Sequence, residues 1–340
     1  VEIRNDFKET FHETVFDRVD SVIDELTQED MVEILKEKSL VGLGGSGFPT
    51  YIKLATKEKI DTVVINAVEC EPYLSSDYRL ILEHPDRVIA GLKYILQALN
   101  CKKGLIAIKS EKNPLYQVLT QVINHRFPDL DIKVVKLGNH YPQGWEVEVF
   151  KWALGIDIPF GELPMKYGVI GFNVSTAAGV FDAIKHNMPV TKRYFTLTGD
   201  AIKFPQNYRV KVGTSVQQLI ALSDGYKEEY KEVNIIMGGP MMGVSTVSDD
   251  VIVSKTTTSV IVLKNTDYVE EPCVRCGSCV YSCPAHLEPV QIMNAVKRND
   301  KDVMKGLGAF KCIECGLCAY VCTSKIHVTD YVRKAKSLIG

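Results

Sequence analysis

Residues 272–284 read PCVRCGSCVYSCP and residues 312–325 read CIECGLCAYVCTSK. Each stretch sets four cysteines at the spacing C-x-x-C-x-x-C-x-x-x-C, with 28 residues between Cys283 and Cys312. That spacing wraps cubane iron–sulfur clusters in two-cluster modules, where the fourth cysteine of each run crosses to ligate the other cluster. The expected ligand sets are therefore Cys273, Cys276, Cys279 and Cys322 for one [4Fe-4S] cluster, and Cys312, Cys315, Cys318 and Cys283 for the second. Three thiolates two residues apart converge only on a tightly curled backbone, and Gly277 and Gly316 stand where the curl needs freedom. Zinc sites pair two short knuckles across a longer gap and use no third cysteine at the same step. A disulfide framework suits small secreted chains. Two clusters in one small fold make sense chiefly as successive stations for single electrons.

Outward from this stretch, composition sets bounds. The 340 residues allow two or three domains, 46% apolar residues are ample for a buried core, and a net charge of -2 argues against a nucleic-acid surface. No apolar run approaches the ~20 residues that span a bilayer, and no signal peptide opens the chain. Ten cysteines, eight of them in cluster spacing, indicate a reducing, oxygen-poor cytoplasm. The start at Val1, with VEIRND reading like the tail of a strand, gives residues 1–26 the look of a lead-in from a longer chain.

Thr27-Gln-Glu-Asp30 is a capping-box variant that predicts a helix to about Lys38. Gly42-Leu-Gly-Gly-Ser-Gly-Phe-Pro-Thr50 follows, and it satisfies G-x-G-x-x-G at Gly42, Gly44 and Gly47. A dinucleotide fingerprint must follow a strand, whereas this one follows an amphipathic helix. What survives is a glycine loop whose backbone N–H groups can approach a phosphate, with a flexible turn as the alternative. Strands are expected at 61–66, 104–109 and 131–137, and helices from Pro85 to about Leu99 and after a cap at Asn113-Pro114. Strand alternating with helix implies a parallel sheet covered on both faces. Glu69 and Glu71, past the end of the first strand, could accept hydrogen bonds from a flavin or ribose, or could sit in a solvated loop. Cys70 and Cys101 read as packing residues.

From Arg193 short strands at 194–198, 208–212, 234–237 and 259–263 surround one helix, 216–222, which predicts a small α+β module. The last 70 or so residues carry both cluster runs, with helices at about 289–298 and 329–338.

Taken together, GLGGSGFPT at 42–50 with Lys53, NAVECEP at 66–72, YPQGWE at 141–146, GFNVST at 171–176, GGPMMG at 238–243 and the doubled cysteine run resemble the RnfC family. That family supplies the peripheral, NADH-facing subunit of the Rnf ion-translocating complex and includes soluble relatives such as PrdC of proline reductase and PduS. More distantly, the first half is similar to the flavin subunit of respiratory complex I.

The resemblance implies an α/β fold (27–190) with a complex I flavin-subunit-like parallel sheet, then a small α+β β-grasp module of the SLBB type (191–265), then a two-cluster ferredoxin-like helical domain (266–340). A barrel-like domain is expected ahead of Val1. It implies FMN beside the two clusters, and NADH as electron donor. By motif, Gly42, Gly44, Gly45 and Gly47 would line the FMN phosphate and ring, and Lys53 would meet the phosphate. Asn66 and Glu69 would contact ribityl or ring atoms, Phe48 and Glu71 would meet NADH, Gly144 and Glu146 would border both ligands, and Asn173 would contact the FMN phosphate.

The implied activity is electron transfer from NADH through FMN and the clusters to a partner in the Rnf complex. The alternative is a PrdC-like relay to a proline reductase without direct NADH oxidation. Implied partners are Rnf membrane subunits, ferredoxin or a soluble reductase, with no nucleic acid and at most peripheral membrane association on the cytoplasmic face. The chain departs from the motifs at Val68, in place of an acid, at Trp145, in place of glycine, and at Thr323, in place of proline.

Overall fold

The computed structural model describes residues 8, 10–230, 232–266 and 269–340. The expected strand tail at VEIRND lies outside these residues.

Residues 20–186 form α1 (Asp20–Asp24), α2 (Gln28–Glu37), α3 (Thr50–Leu54), β1 (Thr62–Ala67), α4 (Ser76–Glu83), α5 (Pro85–Ala98), β2 (Lys103–Lys109), α6 (Asn113–Arg126), β3 (Asp131–Leu137), α7 (Glu146–Leu154), β4 (Val169–Asn173) and α8 (Val174–His186). The capping box is present: Thr27 accepts from the Asp30 amide while Asp30 accepts from that of Thr27. Asn113 is the first residue of α6 rather than its cap, which is Lys112. The sheet runs β3-β2-β1-β4 and every pairing is parallel.

Because side chains alternate along a strand, β1 feeds both faces. Val63 and Ile65 join a core with residues of α2, α5, α6 and α8. Val64 and Val68 join one with Val149 and Phe150 of α7. The crossing of α5 and α8 is so close that a Cβ at Gly91 would lie 1.9 Å from the Ala177 carbonyl oxygen. Such a sheet places the loops after β1 and β4 at one edge, where an open α/β sheet carries ligands.

The second sheet, β6-β5-β9-β7-β8, comprises β5 (Lys192–Thr198), β6 (Gln206–Lys211), β7 (Val233–Met237), β8 (Val244–Thr246) and β9 (Ser259–Lys264), with α9 (Val216–Leu222) packed on it. Its one parallel pairing is β5 with β9. The cysteine-bearing segment is helical: α10 (Ser278–Tyr281), α11 (Pro289–Lys297), α12 (Lys301–Gly306), α13 (Leu317–Tyr320) and α14 (Val328–Ile339). Gly277 and Gly316 turn at φ of +78° and +79°, the left-handed region the curl requires.

Candidate functional site

The glycine loop rises from α2 and is closed at its base by an antiparallel bridge between Val41 and Pro49. The element that leads into it is the helix α2 and not a strand, so the dinucleotide fingerprint fails as expected. Leu43 is its inward anchor: its amide donates to Thr176 Oγ1 at 2.9 Å, and its carbonyl accepts from Arg193 Nη2 at 2.7 Å. With Leu43 pinned, Gly44, Gly45 and Ser46 face outward and are exposed, as is Phe48. A Cβ at Gly44 would stand 2.9 Å from Asn173 Cγ, whereas one at Gly45 would meet nothing within 4 Å. The loop thus opposes Asn173 with no side chain filling the space between, the arrangement that lets backbone amides approach a phosphate.

Around this cradle stand side chains from four other elements. Lys53 of α3 donates to the Gly171 carbonyl at 2.9 Å and pairs with Glu146, the first residue of α7, at 3.1 Å. Asn66, near the end of β1, donates to the Gly144 carbonyl at 2.8 Å, tying the loop after β1 to the 141–146 loop. Asn173 caps α8 through the Ser175 amide and donates to Asp77 at 2.6 Å. Gly42–Gly47, Lys53, Asn66, Gly144, Glu146 and Asn173 therefore lie about the C-terminal ends of β1 and β4. A flavin phosphate fits the exposed turn Gly44–Ser46, where no Cβ stands at Gly44 or Gly45, while Lys53, Asn66 and Asn173 are held beside it by protein partners.

The two acids of the 66–72 loop engage protein backbone. Glu69, at φ +41°, accepts from the amides of Asp77 at 2.8 Å and Tyr78 at 3.2 Å, and so caps α4. Burial first, and then the neighbouring Asp77 carboxylate, raise its pKa from 4.5 to about 8. Asp77 is raised by burial, against hydrogen bonds from Ser175 and Asn173. Glu71 accepts from the amides of Met241 at 3.0 Å and Met242 at 2.9 Å. A Cβ at Gly239 would fall 2.2 Å from Glu71 Cδ, so only glycine lets the turn close on this carboxylate. Trp145 lines a cleft of about 500 Å³ with Phe160 and residues 284–287 and 306–308.

The structure brings Cys283 of the first run beside the cysteines of the second. Cys312, Cys315 and Cys318 each have the Cys283 thiol as an electrostatic neighbour, although burial is the largest cause of their raised pKa values, to about 11 for Cys318. Those four line one small cavity together with Pro284, Leu287 and Thr329. Cys279 has Cys273 and Cys276 as neighbours, and Cys276 Sγ lies 4.0 Å from the hydroxyl of Thr323, next to Cys322. No group of three or more His, Cys, Asp or Glu among the described residues is gathered for a single metal ion. A cubane spreads its four thiolate ligands around four irons and so needs no such single-ion cluster. Amides of Glu314 and Leu287 donate to Cys312 Sγ and Cys283 Sγ at 3.3 and 3.4 Å, contacts of the kind that tune cluster potentials. Cys315 and Cys318 are buried, while Cys273 and Cys276 are exposed.

Two residues of the site have roles the sequence did not assign: Tyr141 stood only within a motif, and Met241 read as packing. Tyr141, at the head of the YPQGWE motif, donates from its hydroxyl to the Cys315 carbonyl at 2.7 Å. Burial and the nearby Glu71 and Cys315 raise its pKa, so it stays a donor. Met241, whose amide holds Glu71, turns its carbonyl to the cluster run: a Cβ at Gly316 would lie 2.5 Å from that oxygen.

Comparisons with known proteins agree with this layout. The family models described as Nuo51 FMN-binding domain, SLBB domain and 4Fe-4S dicluster domain match residues 35–182, 194–245 and 267–323. Two crystal structures of NAD+-reducing [NiFe]-hydrogenase share the fold. In the H2-reduced state the TM-score is 0.61 at 14% identity over 94% of this chain and 63% of that one. In the air-oxidized state it is 0.60 at 15% identity over 92% and 63%. Fold, cysteine sets and domain matches define an electron-transfer flavo-iron–sulfur protein, with FMN and [4Fe-4S] clusters as its cofactors.

Among curated proteins, the C subunit of the Na(+)-translocating ferredoxin:NAD(+) oxidoreductase complex of Acetobacterium woodii is 37% identical over 319 residues, 92% of this chain and 71% of that protein. The C subunit of the proton-translocating ferredoxin:NAD(+) oxidoreductase complex of Clostridium ljungdahlii is 37% identical over 270 residues, 78% of this chain and 58% of that protein. Its counterpart in the ion-translocating oxidoreductase complex of Yersinia pestis is 35% identical over 314 residues, 91% of this chain and 50% of that protein. The chain belongs to this family, RnfC, and it spans between 50% and 71% of the length of these three relatives.

Proposed function

We propose that this chain passes electrons from NADH to a protein partner of an Rnf complex, entering at the glycine-loop site and leaving at the exposed cysteine run. FMN supplies the conversion of a two-electron hydride donor into single-electron steps. Gly42–Gly47, Lys53, Asn66 and Asn173 would hold it, with Gly144 and Glu146 at its border and Phe48 exposed on the approach. Residues 27–190 then serve as the flavin unit, 191–265 as the brace that grips Glu71, and 266–340 as the relay.

The observation that carries the order of transfer is the hydrogen bond from Tyr141 to Cys315. It ties the run that carries the buried Cys315 and Cys318 to the flavin unit, whereas Cys273 and Cys276 are exposed, which supports exit to the partner on that side. Among the described residues no helix is long and apolar enough to cross a membrane, and a peripheral place on the cytoplasmic face is part of the proposal. The test is anaerobic reconstitution with FMN, iron and sulfide, followed by NADH. Bleaching of the flavin and then of the cluster absorbance is expected, and a flavin untouched by NADH overturns the reading.

One observation favours a second reading. Glu71, expected at the nucleotide, already gives its carboxylate to the Met241 and Met242 amides. That suits a relay fed by another protein and serving a soluble reductase such as proline reductase. It predicts clusters reducible by a protein donor under conditions where NADH leaves the flavin oxidised.

A further inference from the structure

The cysteine runs repeat at a fixed interval: Cys273 and Cys312, like Cys283 and Cys322, stand 39 residues apart. The backbone follows the repeat. Arg275 and Glu314 take the same place between the first two cysteines of their runs, and both turn left-handed, at φ of +57° and +58°. Their charges are opposite. Further on, Lys297 at the end of α11 and Lys336 in α14 are again 39 residues apart.

These two lysines part ways. Lys336 Nζ donates to the Cys312 carbonyl at 3.0 Å and to Glu314 Oε1 at 2.5 Å, and the other carboxylate oxygen of Glu314 pairs with Arg333 Nε at 3.3 Å. Lys297 instead lies over the Tyr331 ring, 5.0 Å from its centroid. The second run therefore has an ammonium clamped to its first cysteine, whereas the lysine at the matching place of the first run is spent on an aromatic face.

The clamp is more than a surface ion pair, because its charge reaches the sulfur. At the Cys312 thiol burial is the largest influence, and among the charges the Lys336 ammonium outweighs the Glu314 carboxylate that opposes it. The Lys336 side chain is 32% exposed, so water screens this charge only in part. A [4Fe-4S] cluster gains one negative charge with each electron it accepts, so a cation fixed beside one of its ligands favours the reduced form.

We propose that Lys336 is a positioning residue for electron transfer: held by Glu314 against the Cys312 carbonyl, it raises the reduction potential of the cluster that Cys312, Cys315 and Cys318 ligate. The inference rests on the cysteine run holding a cluster and not on NADH as the donor.

The test is an anaerobic mediator titration of the reconstituted full chain with dithionite, read by electron paramagnetic resonance. The signal lost in Cys273→Ala marks the other cluster. In Lys336→Gln the reduction equilibrium of the Cys312 cluster should fall about ten-fold, which for one electron is about 59 mV. That of the other cluster should move much less. Lys336→Arg, which keeps the charge, should restore most of the loss. Glu314→Gln keeps an oxygen for the ammonium and removes the anion, so it should shift the equilibrium about three-fold the opposite way. A clamp that only pinned α14 to the run would change iron content and unfolding but leave both potentials in place. An unchanged potential in Lys336→Gln with iron retained, or one not raised in Glu314→Gln, overturns the proposal. If Lys336→Gln loses iron, the direction of the Glu314→Gln shift decides. No NADH enters the titration, so failure here is distinct from failure of the flavin to be reduced.

Discussion

The hydroxyl of Tyr141 and the carbonyl of Cys315 meet at 2.7 Å, joining a loop of the α/β unit to the buried cysteine run. Tyr141→Phe keeps the ring and deletes the donor, leaving a buried carbonyl short of one partner. The expected outcome is a loss of about 1 kcal/mol in urea unfolding. Both clusters are retained by iron analysis, and their reduction in stopped-flow traces is slower. Unchanged rates would remove this contact from the transfer route.

The crossing of cysteines makes a sharp demand on double variants. Cys283→Ala should lower iron from about eight to about four atoms per chain. Adding Cys312→Ala should remove no more, whereas adding Cys273→Ala should remove nearly all. The opposite pattern in anaerobic iron assays would mean that each run holds its own cluster.

Gly44 is expected to tolerate no side chain when flavin binds. In Gly44→Ala the new Cβ reaches within 3.0 Å of the Asn173 side chain, closing the cradle without straining the backbone. FMN affinity, read by fluorescence quenching, should fall at least about ten-fold, or about 1.4 kcal/mol. Unfolding free energy should fall by about 1 kcal/mol, because Asn173, which caps α8, must shift.

Gly239→Ala attacks the brace instead. Its Cβ would drive into Glu71 and loosen the grip of the Met241 and Met242 amides, so stability should fall by about 1 to 3 kcal/mol in urea titration. Because Met241 also backs onto Gly316, the electron paramagnetic resonance spectrum of the cluster held by Cys315 should change while that of the exposed cluster does not.

Glu69 gives the fold a pH dependence. Its pKa rises from 4.5 to about 8 on folding, so between those values the folded chain keeps a proton that the unfolded chain releases. The unfolded state therefore binds fewer protons and stability falls as pH rises through the window, levelling off above about 8. Asp77, also raised, acts in the same direction. Denaturation midpoints at pH 5.5, 7 and 8.5 should decline in order, and Glu69→Gln should flatten the decline.

What was legible in the sequence was what the chain encodes locally. The cysteine spacing and the strands at 62–67, 103–109 and 131–137 are short-range patterns, and they appear within a residue or so of where they were expected. The helix α4 escaped because its cap is not beside it: the Ser75 side chain makes no cap bond, and Glu69 supplies the acceptor from the preceding loop. The segment 171–176 was read as a motif and not as the end of β4 running straight into α8, a junction fixed by the Asn173 cap. The roles of Tyr141 and Met241 depend on contacts with residues some 170 positions away, beyond what periodicity or spacing reports. Resemblance brought the residues of the flavin cradle forward, but it could not say that Glu69 and Glu71 are turned to backbone amides.

The unequal shelter of the two cysteine sets also fixes how the protein ages in air. Dioxygen and chelators reach Cys273 and Cys276 at the surface long before the buried Cys315 and Cys318. Damage should therefore begin on the Cys273 and Cys276 side, and a partly oxidised preparation should keep the iron held by Cys315 and Cys318 the longer.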